Sequence, residues 1–403
     1  MGFGQGLSGL NAAAQNLDVI GNNIANSGTV GFKAGTATFA DVYANSRVGL
    51  GTSVASINQR FTVGTVSSSG NQFDMAIDGP KGLFRVQDTS GNILFTRNGQ
   101  FFADKNNFVV NAQGQRLTGY QGNGTDLVPI TVPVGNIAPL ATTSITMKAN
   151  LDANAAVVPA APAFNPDEPS TYTHSLPTSI YDSLGNSHQL TQYFVKRDGT
   201  ATSSSWEVHY RLDGQALPTP AGSSIAMTFD DNGVLTAPTG PVPLTFVQPG
   251  GTAAPAAPLS IGVAYTGTTQ FGGEFSASRN QNGYTTGEYA SMSIASDGAI
   301  VASYTNGETL GVGFLALADF NNVQGLQPVG GNAWAETSES GQPVVGRPGT
   351  NGMASIVGQS VEESNVDMSQ ELVNMIIAQR TYQANAQTIK TQDQVLQTLI
   401  NLR

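Results

Sequence analysis

The chain has 403 residues, enough for roughly two to three domains. Only 11% of them are charged and the net charge is −11, which argues against nucleic acid or an anionic membrane as a partner. There is no cysteine, so disulfides, a thiol nucleophile and a zinc–thiolate site are excluded, and 47 glycines point to turn-rich β structure.

No secretory signal is expected at the N-terminus. The first basic residue is Lys33, and Asn11, Gln15, Asn16 and Asp18 interrupt any apolar run. Gly6 stands where a myristoylation signal needs Ser or Thr. No apolar stretch approaches the ~18 residues of a membrane span, so the chain is expected to be soluble, without membrane insertion.

The first helix is predicted from GFGQGLSGLNAAAQNLDVIGNNIANSG. Phe3, Leu7, Leu10, Ala14, Leu17, Gly21 and Ile24 recur at three/four spacing, the seam of a coiled coil, and Gly28 sits where a C′ glycine belongs. Gly6, Gly9 and Gly21 each cost roughly 1 kcal/mol against Ala, so this helix is marginal alone. Residues 29–71 read as an extended, weakly β connector that leans on a neighbour, since Phe32, Phe39, Val42, Tyr43 and Phe61 need burial somewhere.

Strand signals are strong over 72–147 and resume over 282–349, as expected of one β domain split by an insertion. Asn98-Gly99 reads as a type I′ hairpin, and Asn282-Gly283, Asp297-Gly298 and Asn306-Gly307 read as turns. Residues 148–281 read as an inserted outer β domain. Of the 20 prolines, 16 lie between Pro129 and Pro258, leaving both ends free for helices. Between Ala149 and Ser278 the insertion also carries −7 of the net charge, as expected of a solvated, outward-facing domain.

The last helix is the longest element, predicted over Asp367 to Arg403 at on the order of 50 Å. Leu372, Met375, Gln379, Tyr382, Ala386, Ile389, Asp393, Leu396 and Ile400 form its seam, with Gln379 and Asp393 as polar, register-setting positions. Asp367 and Gln370 read as N-cap and capping box. Two single-sided seams at opposite chain ends are expected to pair and to order when something else packs around them; the bland alternative is a plain intramolecular hairpin. The fold class is thus mostly β, multidomain α+β. It comprises a helical core (1–28 with 365–403), a connector (29–71 with about 350–364), a split β domain (72–147 with 282–349) and an inserted β domain (148–281).

Chemistry is conspicuous by its weakness. His174, His188 and His209 share no metal-ligand spacing. Asp230-Asp231-Asn232-Gly233 lacks the later ligands of a calcium loop and reads as a β-turn. The loose GxGxxA at Gly311–Ala316 lies in an apolar strand-like run with no helix after it, which rejects a dinucleotide site. No catalytic constellation, metal or cofactor is expected.

Two stretches carry a family resemblance. Asn16 to Lys33 (NLDVIGNNIANSGTVGFK) resembles the N-terminal signature of bacterial flagellar rod and hook proteins, and Ser364 to Arg403 resembles their C-terminal segment. GTATFADVYANSRVGLG, TRNGQF, RLTGY and NQNGYTTGE are similar to the flagellar hook protein members in particular. The resemblance implies a structural, non-enzymatic subunit, exported without a cleaved signal by the flagellar type III export apparatus. Such subunits assemble outside the cell into a curved hollow tube that passes torque from rod to filament. It further implies contacts with copies of itself, the distal rod protein, the hook cap protein and the hook–filament junction protein. On this basis Leu7, Leu10, Leu17, Ile24, Leu372, Met375, Tyr382, Ile389 and Leu396 are expected to drive assembly. Asn22, Asn23 and Asn26 are expected to cap or bridge backbone after the first helix, and Gly31-Phe32 to begin the connector. A distal rod subunit, or from a different class a secreted β-rich adhesin, are the alternatives.

Overall fold

Phe3–Ala25 forms α1 and Met368–Asn401 forms α2, of 23 and 34 residues. At 1.5 Å per residue they are about 34 and 51 Å long. The computed structural model describes residues 3–43, 49–122, 124–218, 220, 223–253 and 255–401. Residues 44–48 of the GTATFADVYANSRVGLG stretch and the last two of the C-terminal segment lie outside the described residues. By internal contacts the chain divides into two units: 1–134 with 290–303 and 309–403, and 135–289 with 304–308.

In the first unit α1 and α2 run antiparallel. Gly6 lies beside Ile389 and Gly9 beside Asn385, while Asn16, Val19 and Ile20 share a cleft with Glu371, Asn374 and Ile377. A Cβ on Gly9 would come within 2.8 Å of the Asn385 side chain, so glycines that weaken α1 in isolation are what let the two backbones approach. Asp367 caps α2, its Oδ1 accepting from the N–H groups of Ser369 and Gln370 at 2.9 and 3.1 Å. The Gln370 amide turns away to donate to Asn374 Oδ1, so the reciprocal half of the capping box is not made.

The stop of α1 differs from the expectation. Gly28 does not take the left-handed conformation; the Asn26 amide and Ser27 hydroxyl donate back to the carbonyls of Asn22 and Ile24 and end the helix. The left-handed residue is Gly31, at φ +71°, where a Cβ would fall 2.5 Å from the Asn98 backbone nitrogen.

After α1, β1 (Gly35–Val42) and β2 (Gly51–Gln59) pair antiparallel and lean on α1. Val66–Ser68 then pairs with Ser360–Glu362, and Met75–Asp78 with Ser355–Gly358, so both chain halves enter together. A sheet network follows in which a block of early strands is flanked on both sides by late ones: Arg116–Gln121 lies between Leu83–Gln87 and Thr309–Leu315, and Ile93–Thr96 pairs with Ala333–Ala335. Leu83, Phe95, Phe320 and Trp334 close a core there. Asn98-Gly99 is not a hairpin turn. Ile93–Thr96 pairs elsewhere, and Gly99 is pressed against the backbone of Met75, its carbonyl oxygen accepting from the Met75 N–H at 2.9 Å. Asn282-Gly283 is likewise no hairpin: the Asn282 side chain accepts from the N–H groups of Thr143 and Ser144. Asp297-Gly298 and Asn306-Gly307 do turn hairpins, each glycine at positive φ. Gly311–Leu315 lies in a strand beside Arg116–Gln121, with Ala316 just past its end.

The second unit is a β-sandwich. One sheet runs His174–Tyr181, Ser187–Thr200, Ser203–Leu212, Ser224–Asp230, Leu235–Ala237; the other runs Val242–Phe246, Leu259–Ala264, Ser144–Asn150, Ser276–Gln281. Alternation sends Leu190, Phe194, Trp206, Val208, Phe229, Leu244 and Ile261 into one shared core. Tyr265 is buried there, its hydroxyl 2.7 Å from that of Tyr210 and donating to Gln192 Oε1 at 2.6 Å. Asp230–Gly233 forms a turn, with Gly233 N–H donating to the Asp230 carbonyl.

Candidate assembly site

The helix pair buries only part of its apolar surface. The residues turned inward are Gly6, Ala12, Ala13, Ile20 and Asn23 on α1, and Glu371 and Ala378 on α2. Most are small or polar. Each inner stripe sits about one position before the seam read from sequence: Gly6 before Leu7, Ala13 before Ala14, Ile20 before Gly21, Glu371 before Leu372, Ala378 before Gln379. One residue is 100° around a helix, so most of each seam is rotated away from the intramolecular contact, with Ile389 against Gly6 the exception. Leu7 is 44% and Ile400 72% exposed; Leu372, Tyr382, Leu396, Gln379 and Asp393 are also exposed. Leu10, Leu17, Ile24, Met375, Ala386 and Ile389 are half-buried at the flank. Val373, Ile376, Ile377 and Val395 widen the apolar surface of α2 further. Beyond Ile389, which lies against Gly6, about 12 residues of α2 continue, roughly 18 Å, against three described residues of α1 before Gly6.

Between the helices and the β1–β2 pair runs a groove of about 500 Å³, lined by Gly9, Ala12, Ala13, Phe39, Ile377 and Ala378 among others. Small side chains make its floor, and Phe39 and Ile377 make exposed apolar edges.

The foot of α1 is held by asparagines. Asn23 is buried and makes a two-way pair with Gly35, donating to its carbonyl and accepting from its N–H, both at 2.8 Å. Asn26 donates to both the carbonyl and side-chain oxygen of Asn22 at 2.9 Å. Gly31 donates its N–H to the Glu362 carbonyl at 2.7 Å, and Phe32 is half-buried at the start of the connector.

Next to this foot lies a cluster of charge that no sequence motif announced. Lys33, Arg97 and Glu362 have side chains 1%, 3% and 0% exposed. Lys33 Nζ donates to Glu362 Oε1 at 2.6 Å and to the Thr62 carbonyl at 2.7 Å. Arg97 Nε donates to Glu362 Oε2 at 2.7 Å, and its two terminal nitrogens donate to the carbonyls of Gly82, Ile77 and Gly79. Gly64 N–H adds a bond to Glu362 Oε1 at 2.9 Å. Burial alone pushes the Glu362 carboxyl upward, but Arg97 and Lys33 outweigh it and hold it below the usual carboxylate range. Burial pulls Lys33 down, and Glu362 offsets that only in part. In a chain with so few charges, a Lys and an Arg inside β-rich, glycine-rich motifs (GFK and TRNGQF) were the available signal. The matching Glu, more than 260 residues away, had none.

No helix among the described residues is long and apolar enough to cross a membrane. No group of three or more His, Asp or Glu side chains among them is placed to hold a metal. The two helices offer exposed apolar surface.

Comparison with known proteins fits this. Four family profiles match: flagella basal body rod protein over 5–33, flagellar hook protein FlgE/F/G D1 domain over 76–150, flagellar basal body protein FlaE D2 domain over 150–284, and flagellar basal body rod FlgEFG protein C-terminal over 357–402. The chain is 43% identical to the flagellar hook protein FlgE of Salmonella typhimurium and 41% to that of Escherichia coli, with 100% of both chains covered in each case. Identity to the Borreliella burgdorferi hook protein is 31%, over 99% of this chain and 98% of that one. The crystal structure of Helicobacter pylori flagellar hook protein FlgE2 is similar in fold, with a TM-score of 0.54 at 14% identity, covering 73% of this chain and all of that one. From the two terminal segments to the interleaved β strands, the chain belongs to the family of bacterial flagellar hook proteins.

Proposed function

We propose that the chain is the structural subunit of a flagellar hook and polymerises with copies of itself through the outward seams of α1 and α2. The observation that carries this reading is the one-residue rotation. The intramolecular contact is made mostly of small residues together with Ile20 and Ile389, while Leu7, Leu372, Ile376, Ile377, Leu396 and Ile400 stay exposed. Leaving so many Leu, Ile and Val side chains in water forgoes roughly 1.5–3 kcal/mol each, which a neighbouring helix would recover. Leu7, Leu10, Leu17, Ile24, Leu372, Met375, Tyr382, Ile389 and Leu396 are the residues assigned to that contact, with Gln379 and Asp393 setting its register. A distal rod subunit and a β-rich adhesin are not favoured, because the matches to hook proteins run the full length.

In this reading the product is a curved hollow tube outside the cell, acting as a universal joint between rod and filament. Residues 1–28 with 365–403 form its inner layer. The connector and the split β domain follow, and 148–281 lies outermost, where its acidic surface stays solvated. Torsional stiffness comes from the packed helices and bending from exchange of polar contacts between outer domains. The subunit meets the distal rod, hook cap and hook–filament junction proteins at the ends of the tube. It reaches the outside through the type III export apparatus without a cleaved signal.

Negative-stain electron microscopy of concentrated protein tests this, comparing the full chain with a version trimmed to residues 71–359. Hollow tubes from the full chain only are expected. Tubes from the trimmed chain would overturn the assignment of assembly to the helices.

A further inference from the structure

The buried charges sit where the helix pair joins the β fold of the same unit. Lys33 belongs to the segment leaving α1, Glu362 to the segment entering α2, and Arg97 to the β strands' TRNGQF loop. Each side chain also holds backbone from a third region: Lys33 the Thr62 carbonyl, Glu362 the Gly64 N–H, Arg97 the carbonyls of 77–82. Asn365, three residues beyond Glu362, accepts from Ala34 N–H at 2.8 Å and donates to the Arg60 carbonyl at 2.7 Å. Two covalent strands of chain leave the helices here, and one carboxylate ties both of them to the β fold.

We propose that the Lys33–Glu362–Arg97 cluster is the joint that fixes the register of both helix roots against the β fold, and so carries load between the two within one subunit. Glu362 is its positioning residue. The inference rests on the hook-subunit reading for the meaning of the load, but not for the joint itself.

The physics favours a register role over a stability role. A buried ion cluster adds little net stability compared with an apolar replacement, because desolvation offsets the attraction. Its wells are narrow, however. Sliding Glu362 by one residue flips its side chain to the opposite face of its strand and leaves two buried cations unpaired. An apolar cluster would slide and repack. A subunit that passes torque between helices and β strands gains from a contact that cannot creep, and the network of charge-assisted bonds at 2.6 to 2.9 Å supplies one.

The test uses the full chain and two variants, Glu362→Gln and the double variant Lys33→Met with Glu362→Gln. The second removes a cation with the anion, so that a folded protein is obtained even if the first misfolds. Limited proteolysis of the monomer reads the joint. Cleavage within 26–34 and 363–367 is expected to be about tenfold faster in both variants, with the 135–289 unit cleaved at the original rate. Contour analysis of tubes by electron microscopy reads the load: the double variant is expected to form tubes of at least about twofold shorter persistence length, because a softened joint bends more. Unchanged cleavage at both roots overturns the joint, whatever the tubes do. Faster cleavage with unchanged persistence length overturns the load-carrying role. If the unaltered chain forms no tubes, the hook-subunit reading fails, while proteolysis still decides the joint.

Discussion

The sandwich of 135–289 and the α1–α2 pair bury their residues by opposite rules. The sandwich closes on Trp206, Tyr210, Phe194, Phe229 and Tyr265, all at 1% exposure or less. The helix pair closes on Gly6, Ala12, Ala13 and Ala378, and leaves Phe3, Leu7, Leu372, Ile376, Ile377, Leu396 and Ile400 outside. Both regions alternate apolar and polar residues, so pattern alone does not separate them. What separates them is which apolar residues the chain satisfies by itself. The sandwich buries its large apolar residues within the monomer, and the helix pair leaves several of its own exposed.

Four expectations test that contrast. The largest effect belongs to the sandwich: Trp206→Ala should cost about 3–5 kcal/mol by denaturant unfolding, as for a large buried side chain. A cost below about 1 kcal/mol would mean the core is not closed. Next come the outward seams. Leu396→Asp and Ile400→Asp should leave monomer stability within about 0.5 kcal/mol of the original while abolishing tube formation. Unfolding of the monomer by either change would place those residues in an intramolecular core.

The third concerns the glycines of α1. A Cβ on Gly9 would meet the Asn385 side chain at 2.8 Å, whereas a Cβ on Gly21 would have nothing within 4 Å. Gly9→Leu should therefore cost about 1–3 kcal/mol and separate the helices. Gly21→Ala should gain up to about 1 kcal/mol and raise monomer helicity by circular dichroism. Equal effects at the two sites would show that only helix propensity, not close approach, is at work.

The smallest effect is a pH dependence inside the sandwich. His188 Nδ1 lies 2.7 Å from Asp213 Oδ2 and Nε2 lies 3.3 Å from Asp182 Oδ2. Burial pulls its pKa down, but the two aspartates outweigh this and raise it above the ordinary value of 6.5. The folded state then binds the proton more tightly than the unfolded state. The contribution of His188 is full below about pH 6.5 and is lost as pH rises through the raised folded value. His174 and His209 are lowered by burial and act in the opposite sense, losing their contribution as pH falls. The measurement is therefore a difference: unfolding midpoints of the original and His188→Gln between about pH 5.5 and 8.5 should converge as pH rises. Parallel curves would remove the aspartate clamp from the account.

Much of the site was legible because its elements are local. Three/four spacing marks both helices, Asp367 marks the start of α2, and the proline-free ends mark where helices are allowed. Asp297-Gly298 and Asn306-Gly307 act within a few residues and turn as their chemistry dictates. Asn98-Gly99 and Asn282-Gly283 carry the same local signal, yet each is used to receive a distant backbone, Met75 in one case and Thr143 with Ser144 in the other. Local pattern states what a segment can do, not which neighbour arrives.

The amino-acid sequence by itself determined that both ends are helices with a mostly apolar stripe, that the middle is β, and that no thiol or disulfide chemistry occurs. Only tertiary structure decided which side of each stripe faces inward. Close approach of α1 to α2 is made at Gly6, against Ile389, and at Gly9, against Asn385, while Leu7, Leu372, Leu396 and Ile400 are left exposed. It also decided that Lys33, Arg97 and Glu362 meet. Their pairing depends on folding that brings residues 265 and 329 positions apart to within 2.7 Å, and no periodicity in the chain encodes such a contact.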